Sequence, residues 1–80
     1  MGHTLNPKVY GLLAQQAIVN SCIPLSEEDL RIEVCKSANG YYLGVLYEGM
    51  PLSRESYEYW PSYEQANEAL RSQNWIQNTL

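Results

Sequence analysis

From Asn6 onward, apolar residues return at helical spacing. Val9, Tyr10, Leu13, Ala14, Ala17 and Ile18 fall on one side, while Lys8, Gln15, Gln16 and Asn20 take the other. Asn6 is a good N-cap, and Pro7 suits the first helical position, where its missing N–H costs nothing. Pro24 forbids continuation, so the pattern predicts a helix over about 7–21, ending near Ser21. Gly11 weakens this helix by about 1 kcal/mol relative to alanine and is the natural place for a close packing contact.

The period then changes from helical to alternating. Ser26-Glu27-Glu28-Asp29 reads as a capping box opening a short helical turn. Arg31 to Ser37 alternates, and Asn39-Gly40 follows, the strongest short-range hairpin signal. A type I′ turn at Asn39-Gly40 sets a hairpin over about 31–48 in which Ala38 faces Tyr41. Ile32 then faces Tyr47, Val34 faces Val45 and Lys36 faces Leu43 on a buried side. Arg31 faces Glu48, Glu33 faces Leu46, Cys35 faces Gly44 and Ser37 faces Tyr42 on a side largely open to solvent. After a second turn at Glu48-Gly49, an edge strand over about 50–54 places Leu52 beside Val45. Pro51, lacking an N–H, keeps this strand at an edge. The segment 57–60, with Tyr57, Tyr59 and Trp60, is a candidate extension after a bulge around Glu55-Ser56.

The last helix is predicted over about 63–73. Ser62 with Gln65 three residues on is a second capping box, following Pro61. Tyr63, Ala66, Ala69, Leu70 and Gln73 or Asn74 share one face, and Asn74 suits a left-handed stop. The tail 74–80, with Trp75, Ile76 and Leu80, is more apolar than a free tail and is expected to dock. Together these elements predict one α+β domain over 1–80. Its expected form is a two-layer αβββα sandwich, a three-stranded antiparallel sheet with both helices on the Ile32, Val34, Val45, Tyr47 and Leu52 face.

Composition sharpens this picture in three ways. A chain of 80 residues has a thin core and buries only about 60% of its unfolded surface. Seven tyrosines and two tryptophans, with no phenylalanine, give nearly every aromatic a polar handle. Such residues serve either the boundary of a thin core or a binding face. Nine acidic residues against five basic ones leave a net charge of −4, and no two basic residues are adjacent. Nucleic-acid and anionic-membrane binding are thereby disfavoured.

The N-terminus has no secretory pattern, and Gly2 lacks the serine or threonine that myristoylation requires. The apolar stretches are too short to span a bilayer. A cytoplasmic protein without membrane attachment is expected.

Candidate chemistry is sparse. His3 is the one histidine and lies near the chain end, where nothing orients it as a general base. Cys22 and Cys35 lack metal-ligand spacing, and reduced buried thiols or one disulfide both remain open. Glu27, Glu28 and Asp29 suit a helix start rather than a metal site. The glycines form no phosphate-cradling loop. No catalytic residue, metal or cofactor is expected.

The order helix, three antiparallel strands, helix resembles that of the double-stranded-RNA-binding domain, with Tyr63 to Leu70 standing where that family has its second helix. The family's phosphate-gripping lysines are replaced here by Glu64, Gln65 and Glu68. RNA binding is thus the alternative, disfavoured by charge.

Two surfaces remain as candidate protein contacts. One is the outer sheet face with Tyr42, Leu46 and Cys35, joined by Tyr57 or Tyr59. The other is the tail with Trp75, Ile76 and Leu80, which docks on its own domain, on a second copy, or on a foreign partner. The expected function is a non-enzymatic protein-interaction module. Accessory or inhibitory factors of phages and plasmids are often of this kind, and dimerisation is one route to it.

Overall fold

A computed structural model describes residues 6–21 and 26–79, with side chains described for all of these but 18–21. Three antiparallel strands, β1 (Glu33–Ser37), β2 (Gly40–Tyr47) and β3 (Met50–Arg54), lie in the order β1-β2-β3. Helix α1 (Leu12–Ser21) precedes them with a short 3-10 helix (Glu27–Leu30), and α2 (Tyr63–Ser72) follows. The protein is thus α+β. Helix α1 lies against β3, and α2 lies against β1 and β2. One core cluster joins Ala14 of α1 and Ala66 and Ala69 of α2 to Ile32, Leu43, Val45 and Trp75.

Helix α1 starts five residues later than its periodicity predicts. The Asn6 side chain accepts the Lys8 N–H (2.9 Å), and its carbonyl accepts those of Val9 and Tyr10. A turn results instead of an N-cap. The next stretch is pulled into strand-like pairing: Gly11 donates to Leu30 O, Ile32 donates to Val9 O, and Tyr10 bridges Arg31. Val9 and Tyr10 thus run beside Leu30 to Ile32, and their spacing does not mark a helix. Of the predicted apolar side, Ala14 is buried and Leu13 half-buried, whereas Ala17 is exposed; the side chain of Ile18 lies outside the described residues. Met1 to His3, Cys22, Pro24 and Leu80 also lie outside them.

The first hairpin keeps the predicted grouping of residues on each side but slips by two residues. Val34 pairs with Leu43, Cys35 with Tyr42, Lys36 with Tyr41 and Ser37 with Gly40. An even slip leaves every side chain on its own side of the sheet. The cause is Ser37, whose Oγ accepts the Asn39 N–H (3.1 Å) and donates to Gly40 O (3.2 Å). That side chain stabilises a turn centred on Ala38-Asn39, with positive φ only at Gly40 (121°). Arg31 accordingly bridges Tyr10 rather than facing Glu48, and Lys36 is exposed.

The type I′ signature appears one turn later. Glu48 and Gly49 carry positive φ of 53° and 80°. Their hairpin places Ser53, not Leu52, opposite Val45, because the register shifts between Val45 and Leu46. Leu52 sits in that irregularity and still packs against the core. The predicted bulge at Glu55-Ser56 is present: both N–H groups reach the same acceptor, Leu43 O, at 2.8 and 3.0 Å. Ser56, fully buried, accepts the Leu43 N–H on its hydroxyl, and beyond it Trp60 rejoins β2 through Tyr41.

Helix α2 begins where its capping residue predicts, with Ser62 Oγ accepting the Gln65 N–H (3.2 Å). It ends at Gln73 rather than Asn74. Gln73 adopts the left-handed conformation (φ 60°) and donates toward Leu70 O, while Asn74 donates to Ala69 O, closing a Schellman motif. The tail then returns to the fold. Tyr57 donates to Ile76 O, Asn78 donates to Glu55 O, and Ser56 bridges Gln77.

Candidate functional site

The residue that organises the surface is Glu55, which is fully buried. Its carboxylate accepts four hydrogen bonds, two on each oxygen. Leu13 N–H (3.0 Å) and Gln77 Nε2 (2.8 Å) reach Oε1, and Ala14 N–H (3.0 Å) and Ser53 Oγ (2.5 Å) reach Oε2. The first turn of α1 contains no acidic residue of its own, so Glu55 supplies both the missing cap and the negative charge that a helix N-terminus favours. Gly11 makes the approach feasible. A Cβ there would overlap the Glu55 carboxylate and Val45.

By holding Gln77 and, through its carbonyl, Asn78, Glu55 also fixes the tail beside the segment 55–58. The result is an isolated antiparallel bridge of Ser56 with Gln77, beside which Tyr57 donates to Ile76 O. Both side chains face solvent, with 65% and 62% exposure. Glu58 accepts the Ile76 N–H on its carboxylate, at 3.0 and 3.1 Å, and locks the pair in register. An open groove of about 420 Å³ lies between α2 and the chain at Trp60 and Asn74, lined also by Glu64, Glu68, Ala69 and Ser72.

The seven anticipated contact residues therefore separate. Tyr57 and Ile76 are brought together at the surface. Trp75 is only 5% exposed and belongs to the core, with the Lys8 ammonium 3.9 Å from the centre of its ring and bonded to its carbonyl. Tyr42 is 7% exposed, which corrects the expectation that the outer sheet face is largely open. The half-buried Tyr59 packs edge-on against it with ring centroids 5.9 Å apart, and the Arg54 guanidinium bonds to the Tyr59 hydroxyl. Leu46 is half-buried opposite Pro51. Leu80 lies outside the described residues.

Burial pushes the Cys35 thiol and, in the same cluster, the Tyr42 phenol above their ordinary values. The hydrogen bond from Arg54, followed by a second from Asn39, lowers the Tyr59 phenol. Cys35 is a free thiol, 6% exposed, and a protonated, enclosed thiol is a poor nucleophile. Among the described residues, no three His, Cys, Asp or Glu converge in a way that could hold a metal ion, and no helix is long and apolar enough to cross a membrane.

No family model matches the chain, and neither a curated protein nor a solved structure is significantly similar to it.

Two features were missed from the sequence. The partners of Glu55 lie up to 42 residues away, and no local pattern carries such a bond. The groove was missed because Trp60 was assigned only to a strand; its signal was the spacing of Glu64, Glu68 and Ser72 along one side of α2.

Proposed function

We propose that this chain is a non-enzymatic protein-interaction module, an accessory or inhibitory factor whose contact surface is the exposed pair Tyr57 and Ile76 beside the bridge of Ser56 with Gln77. The observation that carries this reading is that two large apolar side chains, each more than half exposed, stand on neighbouring segments whose backbones are joined by hydrogen bonds. Aromatic and aliphatic anchors held on rigid backbone are the usual centre of a protein contact, because the backbone that carries them is already ordered before binding. The free thiol of Cys35 supports a reducing, cytoplasmic setting.

The test is affinity capture from nuclease-treated lysate of the cells that make the protein, alongside light scattering of the purified chain. The reading expects a stoichiometric protein partner, or a dimer of the chain itself, that is lost in Tyr57→Ala/Ile76→Ala while the amide spectrum of the rest is retained. Equal capture and equal mass for the wild type and the double variant would refute it.

A further inference from the structure

We infer that the groove between α2 and Trp60 receives a cationic segment, rich in lysine or arginine, of the partner protein; this rests on the reading of the chain as an interaction module. The groove is lined by the apolar Trp60 and Ala69 and by the acidic Glu64 and Glu68, which lie one helical turn apart. Its volume of about 420 Å³ accommodates a long basic side chain, with the methylenes along the indole and the charged end between the carboxylates. Its lining residues Trp60 and Asn74 lie three positions from Tyr57 and two from Ile76 along the chain.

The charge distribution selects the sign of the occupant. Lys8 is committed to Trp75, Lys36 lies over the Tyr41 ring, Arg54 holds Tyr59, and Arg71 reaches Glu68 at 3.4 Å. That last contact is the sole ion pair among the described residues. Four of the five cations are thus occupied within the fold. Glu64 stands exposed and pairs with no cation among the described residues, and Glu68 is shared with a side chain that is itself 70% exposed. An incoming cation meets unneutralised charge at Glu64 and competes with Arg71 for Glu68.

The experiment titrates the purified chain with a hexa-arginine amide peptide and follows Trp60 fluorescence; Trp75, being buried, reports little. A saturable change that weakens with salt is expected. Glu64→Gln/Glu68→Gln should weaken binding about fivefold, and Arg71→Gln should strengthen it about twofold. Glu27→Gln/Glu28→Gln removes the same charge far along the chain and should leave the affinity within error. No saturable change, equal binding of a neutral hexaserine peptide, or equal weakening by the Glu27/Glu28 variant would each overturn the inference. None of these outcomes bears on Tyr57 and Ile76, so failure at the groove and failure of the exposed pair are separable.

Discussion

The two ten-residue helices are started in opposite ways. Helix α2 takes its cap from the residue directly before it, Ser62, and finishes on its own Schellman motif. Helix α1 has no such neighbour, and its first turn is satisfied by Glu55, 41 and 42 residues further along the chain. The first arrangement contributes a helix and nothing more. The second joins α1, β3 and the tail at one buried carboxylate, and so determines where Ile76 stands relative to Tyr57. A local cap stabilises an element, whereas a distant one also positions a surface.

Removing the distant cap should have the largest effect. Glu55→Ala leaves the Leu13 and Ala14 N–H groups, Ser53 and Gln77 without their acceptor, and should cost about 3 kcal/mol or more in urea denaturation. Glu55→Gln keeps the size but turns part of the acceptor into a donor facing other donors, and should cost about 2 kcal/mol. Gly11→Ala attacks the same contact from the helix side. The new methyl group overlaps the carboxylate and Val45, and a loss of about 1–3 kcal/mol is expected despite alanine's better helix propensity.

The local cap provides the contrast. Ser62→Ala should cost about 1 kcal/mol and leave the tail amides unshifted in a heteronuclear spectrum.

The smallest effect concerns pH. Cys35 and Tyr42 hold their protons more tightly folded than unfolded, so their contribution is complete below the ordinary thiol value of 9.0 and declines as pH rises above it. Tyr59 works in the opposite sense. Stability measured by urea titration should be flat up to about pH 8 and then fall, more shallowly in Cys35→Ser. A rise in stability through that range would contradict the burial of the pair.

Legibility followed the same division between local and distant causes. Ser62, the Glu48-Gly49 turn, the bulge at Glu55-Ser56 and the Pro51 edge strand were all readable, because each is decided within a few residues. The first hairpin was read correctly in which residues share a side and wrongly in its partners and in the exposure of the Cys35 and Tyr42 side, since two local signals competed and the Ser37 hydroxyl overrode Asn39-Gly40. The start of α1 was misread because pairing with Leu30 and Ile32 claimed residues whose spacing also fits a helix. At the candidate surface, Tyr57 and Ile76 were named from their chemistry alone. Their pairing and the withdrawal of Trp75 depended on how the tail returns to the bulge, and the burial of Tyr42 on Tyr59 packing edge-on against it.

The most direct test of the long-range cap is amide hydrogen exchange at Leu13 and Ala14, compared between the wild type and Glu55→Gln. First-turn amides without a partner exchange rapidly. The capped arrangement predicts that both are protected to the level of the sheet amide of Leu43. It also predicts that both lose protection in Glu55→Gln, while the Gln65 amide, capped by Ser62, keeps its own. Rapid exchange of Leu13 and Ala14 in the wild type, or protection unchanged by Glu55→Gln, would contradict it.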